Sequence, residues 1–204
     1  MILIGICGGT ASGKTTLSNK ISKYLTNLNF SANEISLDNY YKDLSDISFE
    51  ERLNVNFDSP KSIDIELFYQ HLCTLKKGEN VNIPIYSYKL HNRTKRIKLV
   101  ISSNFIIAEG LFIFHEEKLR KCFDLKIYLD IDHKTRFNRR LQRDVLVRGR
   151  DRNEVENRFK STIDVMHHKY VDKTKEYADV ILKSNDNFEI IVKALNSFLN
   201  EFEK

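Results

Sequence analysis

The chain has 204 residues, 41% of them hydrophobic, which is enough for one packed domain with a small inserted lobe and too little for a second full domain. Charged residues make up 30%, but 13 phenylalanines and 9 tyrosines supply the apolar content that a disordered composition lacks. The net charge of +5 suits nucleic acid, an acidic membrane face or an anionic small substrate, so its distribution matters more than its sum.

Met1 to Cys7 is a near-continuous apolar run, which predicts a strand buried on both faces of a parallel sheet. It is too short for a signal peptide or a membrane span and lacks a basic flank, so the expectation is a soluble cytoplasmic protein with no membrane partner. Thr15 to Leu28 has helical spacing, with Leu17, Ile21, Tyr24, Leu25 and Leu28 on one side. Asn33 to Leu37 predicts a second strand that Asp38 closes. Ser48 and Glu51 form a capping-box pattern for a short helix to Leu53, and a further helix runs from Ser62-Ile63-Asp64 to Leu75. Val81 to Val100 alternates between apolar and polar residues and predicts an inserted antiparallel hairpin. Phe105 to Ala108 and Asp124 to Leu129 are further buried strands, ending at Glu109 and Asp130. A basic helix follows from Lys134 to Leu146, broken by Arg148-Gly149-Arg150-Asp151-Arg152, and helix resumes from Asn153 to Tyr170. Asp179 to Leu182 predicts a last strand, and Ile190 to Phe202 a closing helix. This alternation argues for a three-layer α/β fold with a mostly parallel sheet.

Cys7, Cys73 and Cys122 have no zinc or redox spacing, and Cys7 reads as a buried small hydrophobe. His167 and His168 carry neither an acid partner nor metal spacing in the sequence and read as structural or exposed.

Gly8, Gly13, Lys14 and Thr15 satisfy G-x-x-x-x-G-K-[ST] between a strand and a helix, the context this phosphate-binding loop requires. Gly8, Gly9, Thr10, Ala11, Ser12, Gly13, Lys14, Thr15 and Thr16 are therefore the candidate nucleotide cradle. In it Lys14 reaches the β- and γ-phosphates and the Thr15 hydroxyl ligates Mg²⁺. Asp38, at a strand end, can take the proton of an attacking hydroxyl, or it can cap a helix. Glu109 is a second acidic candidate for Mg²⁺; Asp130 ranks below it because a cap at the next helix explains it.

Eight arginines lie between Arg136 and Arg158, where a solvated basic helix is the plain reading. Arg136, Arg140 and Arg143 share a helical face, and Arg148-Gly149-Arg150 reads as a lid tip that clamps phosphoryl oxygens and excludes water. Tyr86, Tyr88 and His91 can stack on and hydrogen-bond a planar base, although hairpin packing also explains the tyrosines.

Read together, these motifs resemble the uridine kinase (uridine/cytidine kinase) family over roughly residues 2–182. The matching pieces after the phosphate loop include Asp38-Asn39-Tyr40-Tyr41, His91 and Arg93, Arg139-Arg140 and Arg143-Asp144, and the specific part is the ordered set Asn56-Phe57-Asp58-Ser59-Pro60, Tyr86-Ser87-Tyr88 and Arg148-Gly149-Arg150. The resemblance implies a single P-loop kinase domain over 1–204, with the hairpin (about 81–100) over the acceptor site and an arginine-rich helical lid at about 143–152. It implies transfer of the ATP γ-phosphate to uridine or cytidine, giving the 5′-monophosphate in pyrimidine salvage; a departure from the family at residues 182–185 leaves GTP open as a donor. It makes Asp38 the base and Thr15 and Glu109 the Mg²⁺ ligands. Asp58 and Arg140 hold the ribose, Tyr86, His91 and Tyr88 meet the pyrimidine, and Arg143, Arg148 and Arg150 grip the donor with Lys14. It also implies a homotetramer inhibited by CTP or UTP, with no nucleic acid partner.

The chain departs from the family at Arg158, where many members have Gln near the nucleoside, and at Leu182-Lys183-Ser184-Asn185, where many have Pro-Arg-Gly near the donor base. Pantothenate kinase and phosphoribulokinase are relatives with another acceptor region. A nucleotide-dependent binding protein without an acceptor and a nucleic-acid module using the arginine stripe are the readings outside the kinases.

Overall fold

Alternation along the first strand sets the architecture. In β1 (Ile2–Gly8) every residue is buried, so each face of the strand needs its own covering layer. In the computed structural model, which describes residues 1–200, Ile2, Ile4 and Ile6 face one hydrophobic core and Leu3 and Cys7 face the other. The first core is closed by Ile21 and Leu25 of α1 (Lys14–Asn27) and by Ile191, Leu195 and Leu199 of α8 (Glu189–Leu199). The second is closed by Phe68, Leu72 and Leu75 of α3 (Ile65–Lys76), with Phe114, Phe123 and Val171. The result is the three-layer α/β fold that the sequence pattern predicts.

The central sheet has five strands in the order β2-β5-β1-β6-β7, and every pairing in it is parallel. Its other members are β2 (Ala32–Ser36), β5 (Phe105–Glu109), β6 (Leu125–Leu129) and β7 (Val180–Leu182). The hairpin of β3 (Val81–Ser87) and β4 (Asn92–Val100) forms its own antiparallel pair, with a register shift between Pro84 and Tyr86. A proline cannot donate to the ladder, so the shift falls where the sequence interrupts it. The short α2 (Phe49–Leu53) starts with the expected capping box between Ser48 and Glu51.

Several expectations change in detail. The second strand ends at Ser36 rather than Leu37, and Asp38 sits in a 3₁₀ turn, Leu37–Tyr40, capped by the Ser36 hydroxyl. Leu28 is 42% exposed because it lies beyond the end of α1 and off its buried stripe. A short α4 (Glu117–Arg120), too brief for periodicity to reveal, lies before β6. The helix expected from Asn153 to Tyr170 is a succession: α6 (Arg152–Arg158), a π-type turn Phe159–Ile163, α7 (Asp164–Met166), a second π-type turn His167–Val171 and a 3₁₀ turn Asp172–Tyr177. The closing helix spans Glu189–Leu199; its expected residues 201–202 lie outside the described residues. Among the described residues no helix is long and apolar enough to cross a membrane.

The histidine pair also changes. His168 lies 3.8 Å from both Asp164 and Asp172, acid partners one turn away on either side, and His167 is buried with no hydrogen-bond partner at Nδ1. Burial lowers the pKa of the His167 imidazole to about 4, helped by the nearby charge of Arg136 and opposed by Asp172. Protonation therefore favours the unfolded chain: the stability present above about pH 6.5 is lost as pH falls towards 4. We expect His167→Gln to remove about 1–2 kcal/mol of the loss in urea stability between pH 7 and pH 5, as read from the shift in unfolding midpoint at the two pH values. Gly5 is a second sensitive point, because an added Cβ would sit 2.8 Å from the Phe114 ring and 2.9 Å from Phe123. Gly5→Ala is expected to destabilise the protein by about 1–3 kcal/mol in the same assay.

Candidate active site

The phosphate loop forms where β1 ends and α1 begins. Gly13 (φ 99°) and Ala11 (φ 56°) hold left-handed backbone, which turns the chain back on itself before the helix starts. No side chain caps the first turn of α1, so its orphan N–H groups are left for an anion. Lys14 Nζ donates to the Gly8 and Gly9 carbonyls at 3.1 and 3.0 Å, which lays its ammonium along the loop. Burial pushes the Lys14 pKa down, while the charges of Glu109 and Asp38 pull it up. Gly8 and Gly9 back the loop, and residues 10–16 line a cleft of about 610 Å³.

Parallel pairing brings the acidic groups to this edge of the sheet. Because β5 lies between β1 and β2, its last residue, Glu109, comes beside the loop, and Thr15 Oγ1 donates to Glu109 Oε1 at 3.2 Å. Burial raises the Glu109 carboxyl pKa, the nearby Asp38 charge adds to this, and Lys14 opposes it. Asp38 lines the cleft from its 3₁₀ turn and accepts a 2.5 Å hydrogen bond from the Tyr88 hydroxyl. Asp130 and Arg136 do not line the cleft, and the residue that caps α5 (His133–Leu146) is Asp132. Arg136 turns inward to the Ile131 carbonyl and packs against Gly9.

The other end of the cleft is aromatic. Tyr86 packs on Tyr41 (ring centroids 4.8 Å apart), Phe57 (6.2 Å) and Tyr88 (5.4 Å), and Phe57 also meets His91 at 5.4 Å. His91 takes a left-handed turn conformation (φ 48°) between the hairpin strands. Burial and the charges of Arg150, Arg158 and Arg148 lower the His91 pKa, so it is neutral at pH 7, with one ring nitrogen as donor and the other as acceptor. Asn39 Oδ1 accepts from the Tyr86 N–H at 3.3 Å and fixes the hairpin to the 3₁₀ turn. Asp58 is buried at the floor, where Arg140 donates to it at 3.2 Å and to the Thr10 hydroxyl at 2.8 Å.

The arginine stripe is solvated only at Arg139 and Arg152. Arg136 and Arg140 are 3% and 6% exposed, and Arg140, Arg143, Arg148 and Arg150 surround the buried Asp144. Arg139 points a guanidinium nitrogen at the Ser12 carbonyl (3.5 Å), and the Arg148 guanidinium lies 3.9 Å over the Tyr88 ring. Arg158 lines the cleft and donates to the Val55 carbonyl at 3.1 Å, which ties the turn after α2 to the start of the helical succession. Lys183, Ser184 and Asp186 line the end of the cleft beside Lys20 and Leu17 of α1.

Residues 10–16, Asp38, Asp58, Tyr86, Tyr88, His91, Glu109, Arg140, Arg143, Arg148, Arg150 and Arg158 therefore line one cleft; Gly8 and Gly9 back it, and the candidates Asp130 and Arg136 lie outside it. Sequence reasoning did not single out Tyr41, Phe57 or Asp144 for the site. Tyr41 and Phe57 stood inside quoted motifs, but only packing shows that they complete the aromatic wall. Asp144 stood in the quoted pair Arg143-Asp144, but an acid in a basic helix reads equally well as a surface ion pair.

Residues 3–190 match the family described as Phosphoribulokinase / Uridine kinase family. The chain is 39% identical over 204 residues to a uridine kinase of Clostridium novyi (strain NT), covering 98% of this chain and 97% of that protein. It is 40% identical over 202 residues to a uridine kinase of Borrelia duttonii (strain Ly), covering 99% and 96%. In fold it resembles the phosphoribulokinase from Rhodobacter spheroides, with a TM-score of 0.68 at 13% identity over 89% of this chain and 69% of that one. A shared phosphate loop would not carry similarity of this length; the chain belongs to the phosphoribulokinase/uridine kinase family.

Proposed function

We propose that the protein transfers the γ-phosphate of ATP to the 5′-hydroxyl of uridine or cytidine, giving UMP or CMP in pyrimidine salvage. The observation that carries this is a single cleft with a phosphate loop at one end and, at the other, a buried carboxylate at Asp58 under the aromatic wall of Tyr41, Phe57, Tyr86 and His91. A flat base fits between rings, and a ribose diol fits a buried carboxylate braced by Arg140. The names of its relatives support the same acceptor.

In this reading Asp58 and Arg140 hold the ribose, and Tyr86, Tyr88 and His91 hold the pyrimidine, with Arg158 beside them. The 5′-hydroxyl then takes the place of the Tyr88 hydroxyl on Asp38, and Asp38 accepts its proton as the oxygen attacks phosphorus. Lys14 and the loop N–H groups hold the donor phosphates, and Arg143, Arg148 and Arg150 meet the charge that spreads over the transferring group. The Lys183–Asp186 turn faces the donor base, with ATP as donor and GTP as the alternative.

Thr15 and Glu109 fit a magnesium ion, because both offer hard oxygen donors and stand 3.2 Å apart at the phosphate end. When bound, the ion neutralises the phosphate oxygens that Lys14 does not reach. Residues 1–204 act as one kinase domain, with the hairpin covering the acceptor and residues 143–152 forming the lid. The exposed Ile97, Leu99 and Ile101 on or beside β4 give an apolar edge suited to the tetramer implied by the resemblance, with CTP or UTP as inhibitor and a cytoplasmic setting.

Incubation with Mg²⁺-ATP and a panel of uridine, cytidine, pantothenate and ribulose 5-phosphate is expected to give monophosphates of the two pyrimidine nucleosides only. Folded protein that phosphorylates neither would end this reading. Asp38→Asn is expected to lower kcat by about 10²–10⁴-fold while ATP affinity, measured by calorimetry, stays within about threefold. An unchanged kcat would remove Asp38 from the role of base.

A further inference from the structure

Asp144 stands behind the active site rather than in it. It is fully buried on α5 and does not line the cleft, but the four arginines around it all do. Its Oδ1 lies 2.9 Å from Arg143 Nε and 3.3 Å from a terminal nitrogen of Arg148. Its Oδ2 lies 3.3 Å from Arg140 Nε and 3.8 Å from a terminal nitrogen of Arg150. The chain after α5 folds back to make this possible: Gly149 takes a left-handed φ of 66°, and the Arg150 N–H donates to the Asp144 carbonyl at 3.0 Å. One residue thus fixes the lid tip through both its main chain and its side chain.

Charge balance argues against a purely structural ion pair. One buried carboxylate is neutralised by one guanidinium, and here Asp144 and Asp58 together face four. Like charges this close repel one another, so a cluster with surplus cations needs both an internal anion to assemble it and an outside anion to complete it. The surplus opens on the phosphate end of the cleft. Burial alone would raise the Asp144 carboxyl pKa, but Arg140, Arg143 and Arg148 overcome it and hold the group ionised below the usual carboxylate range.

We infer that Asp144 is a positioning residue for phosphoryl transfer: it anchors Arg143, Arg148 and Arg150 from behind, so that their free N–H groups meet the transferring phosphoryl group without reorganisation, and it braces Arg140 beside Asp58. Through Arg140 it also ties this cation cluster to Asp58, which places the donor clamp and the acceptor floor on one buried chain of charges. The role rests on the kinase reading above and adds to it a residue that touches neither substrate.

Asp144→Asn keeps the shape and removes the charge. Losing the anchor loosens the arginines, while the cleft becomes more positive and still attracts a polyanion. The expected result is a split: kcat per site falls about 100-fold, with sites counted by stoichiometric binding of a non-hydrolysable ATP analogue. The Kd of that analogue stays within about threefold or tightens. A residue that only stabilises the fold would reduce the number of binding sites and leave kcat per site alone. That outcome, or analogue affinity falling in step with kcat, overturns the role. A second measurement needs no variant. The Nε–H proton of Arg143, which donates to Asp144, should give a resolved NMR signal in the wild-type protein that exchanges slowly with water, and exchange at the rate of free arginine overturns the anchor. Wild-type protein that phosphorylates no nucleoside overturns the kinase reading and the role together, whereas an active wild type with an unaffected variant overturns the role alone.

Discussion

A guanidinium cannot shed its proton, so burying one obliges the protein to surround it with acceptors. Arg140 is that residue here, and much of the site is arranged around it. It is 6% exposed and reaches Asp58 on the floor of the cleft, the Thr10 hydroxyl in the phosphate loop and Asp144 beneath the turn that follows α5. Burial works against its charge, and Asp58 and Asp144 more than compensate. Asp144 is in turn held ionised by the arginines around it, and Asp58 is held in place by its hydrogen bond from Arg140. Three segments far apart in the chain, the loop after β1, the turn before α3 and the middle of α5, are thereby fixed to one point. Such a network contributes less to net stability than to geometry, because the gain in charge attraction is largely offset by desolvation.

The parallel sheet provides the frame for this arrangement. All its strands point the same way, so β1, β2 and β5 deliver the phosphate loop, the turn carrying Asp38 and Glu109 to one edge. The antiparallel hairpin stands apart from the sheet and can therefore bring Tyr86, Tyr88 and His91 across that edge, where Asn39 and Arg93 brace it against the 3₁₀ turn. Arg93 donates to the Tyr40 and Tyr41 carbonyls and to Asp64, so one side chain binds hairpin, turn and the start of α3.

Electrostatics at the phosphate end is balanced rather than simply basic. Lys14 and Glu109 are pushed towards neutrality by burial and towards charge by each other. The contacts of Lys14 with the Gly8 and Gly9 carbonyls and of Thr15 with Glu109 hold these opposed charges in place within the loop.

The sequence by itself determined the strand order of events: an apolar strand, a glycine-rich loop with Lys14 and Thr15, strand ends at acidic residues, and a hairpin carrying two tyrosines and a histidine. Those features are local, governed by periodicity of two or 3.6 residues, by capping and by left-handed turns, and so they can be read one segment at a time. Tertiary structure decided what depends on neighbours distant in the chain. It turned Arg136 and Arg140 inward from what reads as a solvated basic helix, broke the helix after Arg158 into π-type and 3₁₀ turns, and gave His168 two acid partners. It also made Asp144, one acid in a run of bases, the common partner of four arginines. The reason is that a charge can be buried only where several others converge on it, and that convergence comes from the packing of α5, its returning tip and the floor of the cleft rather than from any spacing along the chain.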